Sequence, residues 1–204
     1  RGLGDVYKRQ VYMQLKQDAD GHDLDPADPD NWTVPTPIYR NDASLLNGNK
    51  QLAATASGGV GMSLDMTYFQ DADGRSYYAW QQLGATYIAT MDPKDPAHVT
   101  SSPVRIVTPE YAWNAAIAEG PNVTLRDGKL YLMFSGSGVG KTYTTGLAVA
   151  DASGTDLTDP ASWTVLNYPI QKSGPFNGEM QLGTGHGMWS EDEDGNQIYV
   201  FHAY

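Results

Sequence analysis

Three times along the chain a strand-like run, a tight acidic turn ending in Gly and a second strand-like run recur: Met66–Trp80 (MTYFQDADGRSYYAW), Asn122–Ser137 (NVTLRDGKLYLMFSGS) and Gly187–Ala203 (GMWSEDEDGNQIYVFHA). A chain that repeats one hairpin is built from similar units, each burying its apolar face by stacking on the next. The turns read Asp73-Gly74, Asp127-Gly128 and Asp194-Gly195. Gly tolerates positive φ and Asp bonds back to the turn backbone, so each pair is expected at the tip of an antiparallel hairpin. Just ahead of each hairpin stands a lone ionisable residue, Asp65, Glu119 and His186, at spacings of 54 and 67 residues. Repeated units carry such residues to equivalent places, where they converge on one axis.

A second recurrence extends the unit. Asp28-Pro29-Asp30-Asn31-Trp32-Thr33-Val34 and Asp159-Pro160-Ala161-Ser162-Trp163-Thr164-Val165 share the pattern D-P-x-x-W-T-V, 131 residues apart, and Ser102–Val107 takes the corresponding place between them. One unit therefore runs hairpin, third strand (Thr86–Thr90, Gly146–Ala150), acidic loop and outer strand. Four strands in roughly 50 residues is the pattern of a β-propeller blade. With 22 Gly and 12 Pro, no window of a dozen residues keeps a 3.6-residue apolar rhythm free of breakers. The expected fold is all-β: a blade end over 11–40, a Gly-, Asn- and Ser-rich loop over 41–60, complete blades over 61–109 and 118–171, and the opening of another over 183–204. A β-sandwich is the rival. It explains the strands but not their recurrence.

Charge narrows the partners. Thirteen Lys and Arg against 24 Asp and Glu leave a net charge of -11, which repels phosphate backbones and anionic membranes, so neither nucleic acid nor membrane is an expected partner. No apolar run is long enough to span a bilayer as a helix. The absence of Cys excludes disulfides and thiolate chemistry and leaves the compartment open between a bacterial cytoplasm and secretion. Asp5–Gln10 (DVYKRQ) resembles a translated sequencing adapter, so residues 1–10 are expected to be a scar, with the natural N-terminus and any signal peptide upstream. The apolar run before Tyr204 carries no cap, and the chain is expected to be a propeller fragment of about three to four blades.

Among side chains able to do chemistry, Glu119 is held by Gly120 and Pro121, and Asp65 lies between Leu64 and Met66 in an apolar strand, where an unpaired carboxylate is costly. His186 is flanked by Gly185 and Gly187, which permits close backbone approach. Each also has a structural reading, as a solvated loop Glu, a hydrogen-bonded core Asp and a satisfied His. Two patterns mislead. Ser135–Thr142 (SGSGVGKT) nearly spells a phosphate-binding loop, yet Ser135 replaces its first Gly and a strand, not a helix, is expected to follow. Asp18-Ala19-Asp20-Gly21, Asp71-Ala72-Asp73-Gly74 and Asp192-Glu193-Asp194-Gly195 lack the spacing of a calcium loop and read as turns.

The ordered motifs SLDMTYF with Asp65, TYIATMDP, TPEYAW, IAEGPNV with Glu119, DLTDPASWTV, GTGHGMW with His186 and VFHA resemble glycoside hydrolase family 43, nearest its α-L-arabinofuranosidase and exo-arabinanase members, with β-xylosidases as the other type. The likeness covers residues 60–204 and is weaker before them. It implies a five-bladed propeller that hydrolyses arabinosyl or xylosyl linkages of plant polysaccharides and oligosaccharides with inversion, needing no cofactor. By motif, Glu119 matches the general acid, Asp65 the residue that orients it and raises its pKa, and His186 the axial histidine, often near a bound cation such as Ca2+. The matching base is an Asp of the first blade, which nothing in 11–60 reproduces, so it is expected upstream and the fragment alone is expected to be inactive. Trp80, Trp113, Trp189 and Tyr111 are candidates to pack against a pentose face. The rivals are a non-catalytic carbohydrate-binding propeller and a structural propeller with a closed axis.

Overall fold

The computed structural model describes residues 10–46 and 63–204. Most of the expected scar and most of the expected 41–60 loop lie outside them. Two sheets dominate. In the first, β3 (Ser63–Gln70), β4 (Ser76–Gln82) and β5 (Ala85–Asp92) pair in antiparallel order, and β5 carries both β6 (Asp95–Val99) and β7 (Val104–Val107) on its outer edge. In the second, β8 (Ala118–Arg126), β9 (Lys129–Gly136), β10 (Thr144–Asp151) and β11 (Thr164–Val165) run from the innermost to the outermost strand. Before them β1 (Val11–Tyr12) pairs with β2 (Thr36–Pro37); after them stand two hairpins, β12 (Gly174–Phe176) with β13 (Glu179–Gln181) and β14 (Gly185–Glu191) with β15 (Gln197–His202). The chain is all-β, and these antiparallel sheets are propeller blades. Among the described residues no helix is long and apolar enough to cross a membrane.

The second strand of a blade is flanked on both faces, and its sequence says so. All seven residues of β4 (SYYAWQQ) are buried. Alternation then sends Tyr77 and Ala79 to one side and Tyr78 and Trp80 to the other. The first side meets Leu130, Leu132 and Phe134 of β9, with Leu157 and Trp163 closing the outer end. The second side meets Ile38 and Leu46 of the preceding chain, with Met91 and Val99. Blade-to-blade burial of aromatic and aliphatic faces is therefore the main stabilising term.

Polar clasps fix the rim. The Asp73 carboxylate accepts from Ser153 Oγ at 2.6 Å and Gly154 N at 2.8 Å, and Arg75 donates to the Thr155 carbonyl at 2.7 Å. The Ser153 hydroxyl, before the other contacts, holds the Asp73 carboxyl below its ordinary pKa. The repeated D-P-x-x-W motif folds alike twice: Asp28 and Asp159 cap short 3-10 turns, and the indoles of Trp32 and Trp163 donate to carbonyls six residues back, those of Pro26 and Leu157.

Three features depart from the sequence expectation. β6 lies inside the expected acidic loop; Pro96 disguises it, because an edge strand tolerates proline, and its free side pairs with Tyr39 through Ala97 O and Val99 N. The β12–β13 hairpin turns on Asn177-Gly178, both at positive φ, in a stretch assigned to no blade. Leu83-Gly84, singled out by no turn signal in the sequence, makes a similar two-residue turn between β4 and β5.

Packing between β9 and β10 is tightest at Gly146, where a Cβ would stand 2.4 Å from the Phe134 ring and 2.5 Å from Trp113. Gly146→Ala is expected to lower unfolding stability by about 1–3 kcal/mol through overpacking, read from urea denaturation midpoints at constant slope.

Candidate active site

The innermost strands β3, β8 and β14 each carry a bulge near their beginning. Pairing runs Leu64↔Gln81 then Thr67↔Ala79, Glu119↔Ser135 then Asn122↔Met133, and Gly185↔His202 then Met188↔Val200. In each case two residues oppose one, and the first of the two lies in the left-handed region: Asp65 at φ 56°, Gly120 at 60° and His186 at 48°. This shifts the sequence alignment. The ionisable residues stand within the innermost strands rather than ahead of them, and Asp65 is equivalent to Gly120 and His186, with Glu119 one place earlier beside Leu64 and Gly185.

That offset has a use. The Gly120 N–H donates to Asp65 Oδ2 at 3.2 Å, so the carboxylate of one blade is tied to the peptide that follows Glu119 in the next. His186 leans on the same glycine, with a Gly120 Cβ position only 3.3 Å from its ring. The His186 peptide N–H donates to Ser135 Oγ at 2.7 Å. Its Nε2 lies 3.9 Å from Asp65 Oδ1 and its Nδ1 3.3 Å from the Tyr143 hydroxyl oxygen. Tyr143 donates to Glu119 Oε1 at 2.6 Å. With the phenol proton directed at Glu119, the Nδ1–H of His186 is the donor in the other contact. The four side chains form one chain, Asp65, His186, Tyr143 and Glu119. Burial, followed by the bond to Glu119, pushes the Tyr143 phenol far above its usual range, which keeps it a proton donor at neutral pH.

Asp65 and His186 border an open cavity of about 420 Å³, lined also by Gly120 and the next residues of the same three strands, including Thr67, Asn122 and Met188; Glu119 and Tyr143 lie behind this lining, joined to it through His186 and Gly120. Three bulges, two acids and a histidine beside an axial cavity are joined by similarity in sequence. The profile of Glycosyl hydrolases family 43 matches residues 49–204. The chain belongs to glycosyl hydrolase family 43. It is 33% identical over 153 residues to an extracellular exo-α-(1→5)-L-arabinofuranosidase of Streptomyces chartreusis, covering 69% of this chain and 44% of that protein. It is 32% identical over 152 residues to α-L-arabinofuranosidase 43 of Humicola insolens, covering 69% of this chain and 30% of that one. An α-L-arabinofuranosidase structure from Lactobacillus brevis superposes with a TM-score of 0.69 at 26% identity, over 92% of this chain and 58% of the other. The chain thus spans less than half the length of these two curated relatives.

Within this family 43 chain the tryptophans fall elsewhere than the sequence suggested. Trp80 is 0% exposed, stacked on Tyr87, with its indole N–H on Gln82, and offers no face to a sugar. Trp113 is half-buried between Tyr111 and Phe134, its N–H on the Asn167 carbonyl. Trp189 packs on Tyr199 and donates to the Tyr131 carbonyl. None of the three lines the axial cavity. Trp80 and Trp189 lie on β4 and β14 and Trp113 in the turn before β8, and each spends its indole N–H within the protein.

A cation at His186 would need oxygen ligands around it. Asp65 and Tyr143 face its two ring nitrogens, and among the described residues no third acid or imidazole converges there. The three side chains whose donor atoms do converge, Asp18, Asp20 and His22, are exposed, and Asp18 is occupied closing its own turn through Asp20 N and His22 N. The near-phosphate loop runs into strand β10, not a helix, and its Ser135 serves the His186 backbone.

Tyr143, Ser135 and Gly120 were not picked out by their chemistry in the sequence. Tyr143 reads as one more strand tyrosine, and only the packing of its ring over Gly185, where a Cβ would sit 2.5 Å away, shows why that glycine precedes His186. Gly120→Ala is expected to destabilise the fold by about 1–2 kcal/mol, because an L side chain in the left-handed region is strained and its methyl meets the His186 ring. Chemical denaturation measures the loss, and the His186 ring shifts in NMR report the displacement.

Proposed function

We propose that the protein is an inverting glycosidase releasing arabinosyl units from arabinose-containing plant oligosaccharides and polysaccharides, with xylosyl linkages as the alternative substrate. Arabinose is favoured because both curated relatives described above are named arabinofuranosidases. Glu119 is the general acid, Asp65 its modulator, acting through the Gly120 peptide and His186, and His186 the axial support. The observation that carries this reading is the Glu119 carboxyl held by Tyr143 at 2.6 Å and linked through Tyr143 to His186, which with Asp65 borders the cavity.

The chemistry follows from two carboxyl groups with opposite tasks. A protonated Glu119 gives its proton to the glycosidic oxygen as the bond to the anomeric carbon breaks. A carboxylate base on the opposite face of the sugar, roughly 6.5–9.5 Å away, takes a proton from the attacking water. No Asp of residues 11–60 is assigned that task; the base is expected upstream of this chain, and the 204-residue chain alone is expected to be inactive. Neither step calls for a cofactor.

In the full-length protein, Glu119→Gln is expected to lower kcat/KM for an α-(1→5)-linked arabino-oligosaccharide by roughly 10²–10⁴-fold. The loss on a dinitrophenyl arabinofuranoside, whose leaving group departs without a proton, is expected to be much smaller. Unaltered turnover of the oligosaccharide would contradict the assignment, and the same assay on xylo-oligosaccharides decides between the sugars.

A further inference from the structure

Tyr143 stands just before β10, fully buried, and has no part in the proton bookkeeping of glycoside hydrolysis as derived so far. Its surroundings fix it on three sides. The ring lies over Gly185 so closely that a Cβ there would sit 2.5 Å from it, and it stacks on His202 at 5.7 Å with a 19° interplanar angle. The hydroxyl receives His186 Nδ1 at 3.3 Å and gives its own proton to Glu119 Oε1 at 2.6 Å. A buried phenol so constrained delivers one hydrogen bond in one direction, and it reaches one of two carboxyl oxygens that would otherwise be chemically equivalent.

We infer that Tyr143 is a positioning residue that assigns the labile proton of Glu119 to Oε2. The inference rests on Glu119 being the general acid. In the protonated acid, Oε1 is the carbonyl oxygen that accepts from Tyr143, so the O–H is on Oε2. During cleavage the Oε2 proton moves to the glycosidic oxygen, the electron pair of the breaking C–O bond goes with that oxygen, and water completes the anomeric carbon as the base takes its proton. Glu119 is left as a carboxylate while Tyr143 keeps its own proton. The hydrogen bond at Oε1 thereby changes from a neutral to a charge-assisted one, which is stronger after proton transfer than before it. An interaction that strengthens along the reaction raises kcat more than it changes KM. His186 is the support of this device: with its Nδ1–H on the phenol oxygen, where the Ser135 hydroxyl also bonds, the phenol proton is left to Glu119.

The test separates positioning from packing. In the full-length protein, Tyr143→Phe is expected to lower kcat on an arabino-oligosaccharide roughly 10- to 100-fold with KM little changed, the range of a lost hydrogen bond to a charged group. On a dinitrophenyl arabinofuranoside, which needs no proton, the same variant is expected to keep most of its rate. Replacing residue 143 by 4-aminophenylalanine, which restores an N–H donor on the same ring, is expected to recover part of the oligosaccharide rate. Should the Phe variant fail to fold, 4-fluorophenylalanine, a non-donating ring with a polar tip, takes its place. Equal losses on both substrates, or no advantage of the amino variant over its non-donating partner, overturn the positioning role. Glu119→Gln run in parallel keeps the two claims apart. If it shows no preference for the activated substrate, the acid assignment itself fails; if it shows that preference and the Tyr143 variants do not, only the present inference fails.

Discussion

Each innermost strand accommodates one extra residue near its start, and the arrangement of the site follows from that bulge. A regular ladder would alternate side chains strictly between the two faces of the sheet. The bulge breaks the alternation, turns one residue into the left-handed region and leaves its peptide group off the ladder. At Asp65 and His186 it re-aims an ionisable side chain, and at Gly120 it frees an N–H for the Asp65 carboxylate. Left-handed backbone is costly for a histidine, so the His186 peptide is secured elsewhere, on Ser135 of the neighbouring blade.

Nothing in a single blade would hold these bulges together. The fully buried β4 and the nearly buried β9 set the distance between sheets with Tyr77, Leu132 and Phe134, joined by Phe69 of β3, and the Asp73 clasp locks the outer rim. Close approach is then granted at selected glycines: Gly146 admits Phe134 and Trp113, and Gly185 admits Tyr143. The result is a rigid frame on which Asp65, His186, Tyr143 and Glu119 come from four different strands or strand ends. A site assembled this way is more sensitive to a misplaced glycine than to a change at the surface.

Much of this is legible in the sequence alone. The recurring hairpins and the D-P-x-x-W motif mark blades because turn chemistry and strand alternation are local, and the bulge-bearing segments stand out as ionisable residues among apolar ones. The one-residue offset of Glu119 was not legible, since a bulge depends on the pairing register and not on the segment alone. Edge strand β6 was hidden by Pro96, and Tyr143 was hidden by abundance: nothing local distinguishes it from the sheet tyrosines, and its role arises from what lies across Gly185. The tryptophans are conspicuous instead. Their size draws attention in a sequence, while in the fold Trp80 is the largest fully buried side chain, and Trp113 and Trp189 spend their indole N–H groups on backbone carbonyls.

The most direct test is a crystal structure of the full-length protein carrying Glu119→Gln, grown with an arabino-oligosaccharide. The account predicts the sugar in the axial cavity, with its glycosidic oxygen within about 2.6–3.2 Å of the residue-119 side-chain amide and Asp65 and His186 beside the same ring. A sugar bound on the outer rim, as in the groove between Gly74 and Thr100, with the axial cavity holding only water, would contradict it.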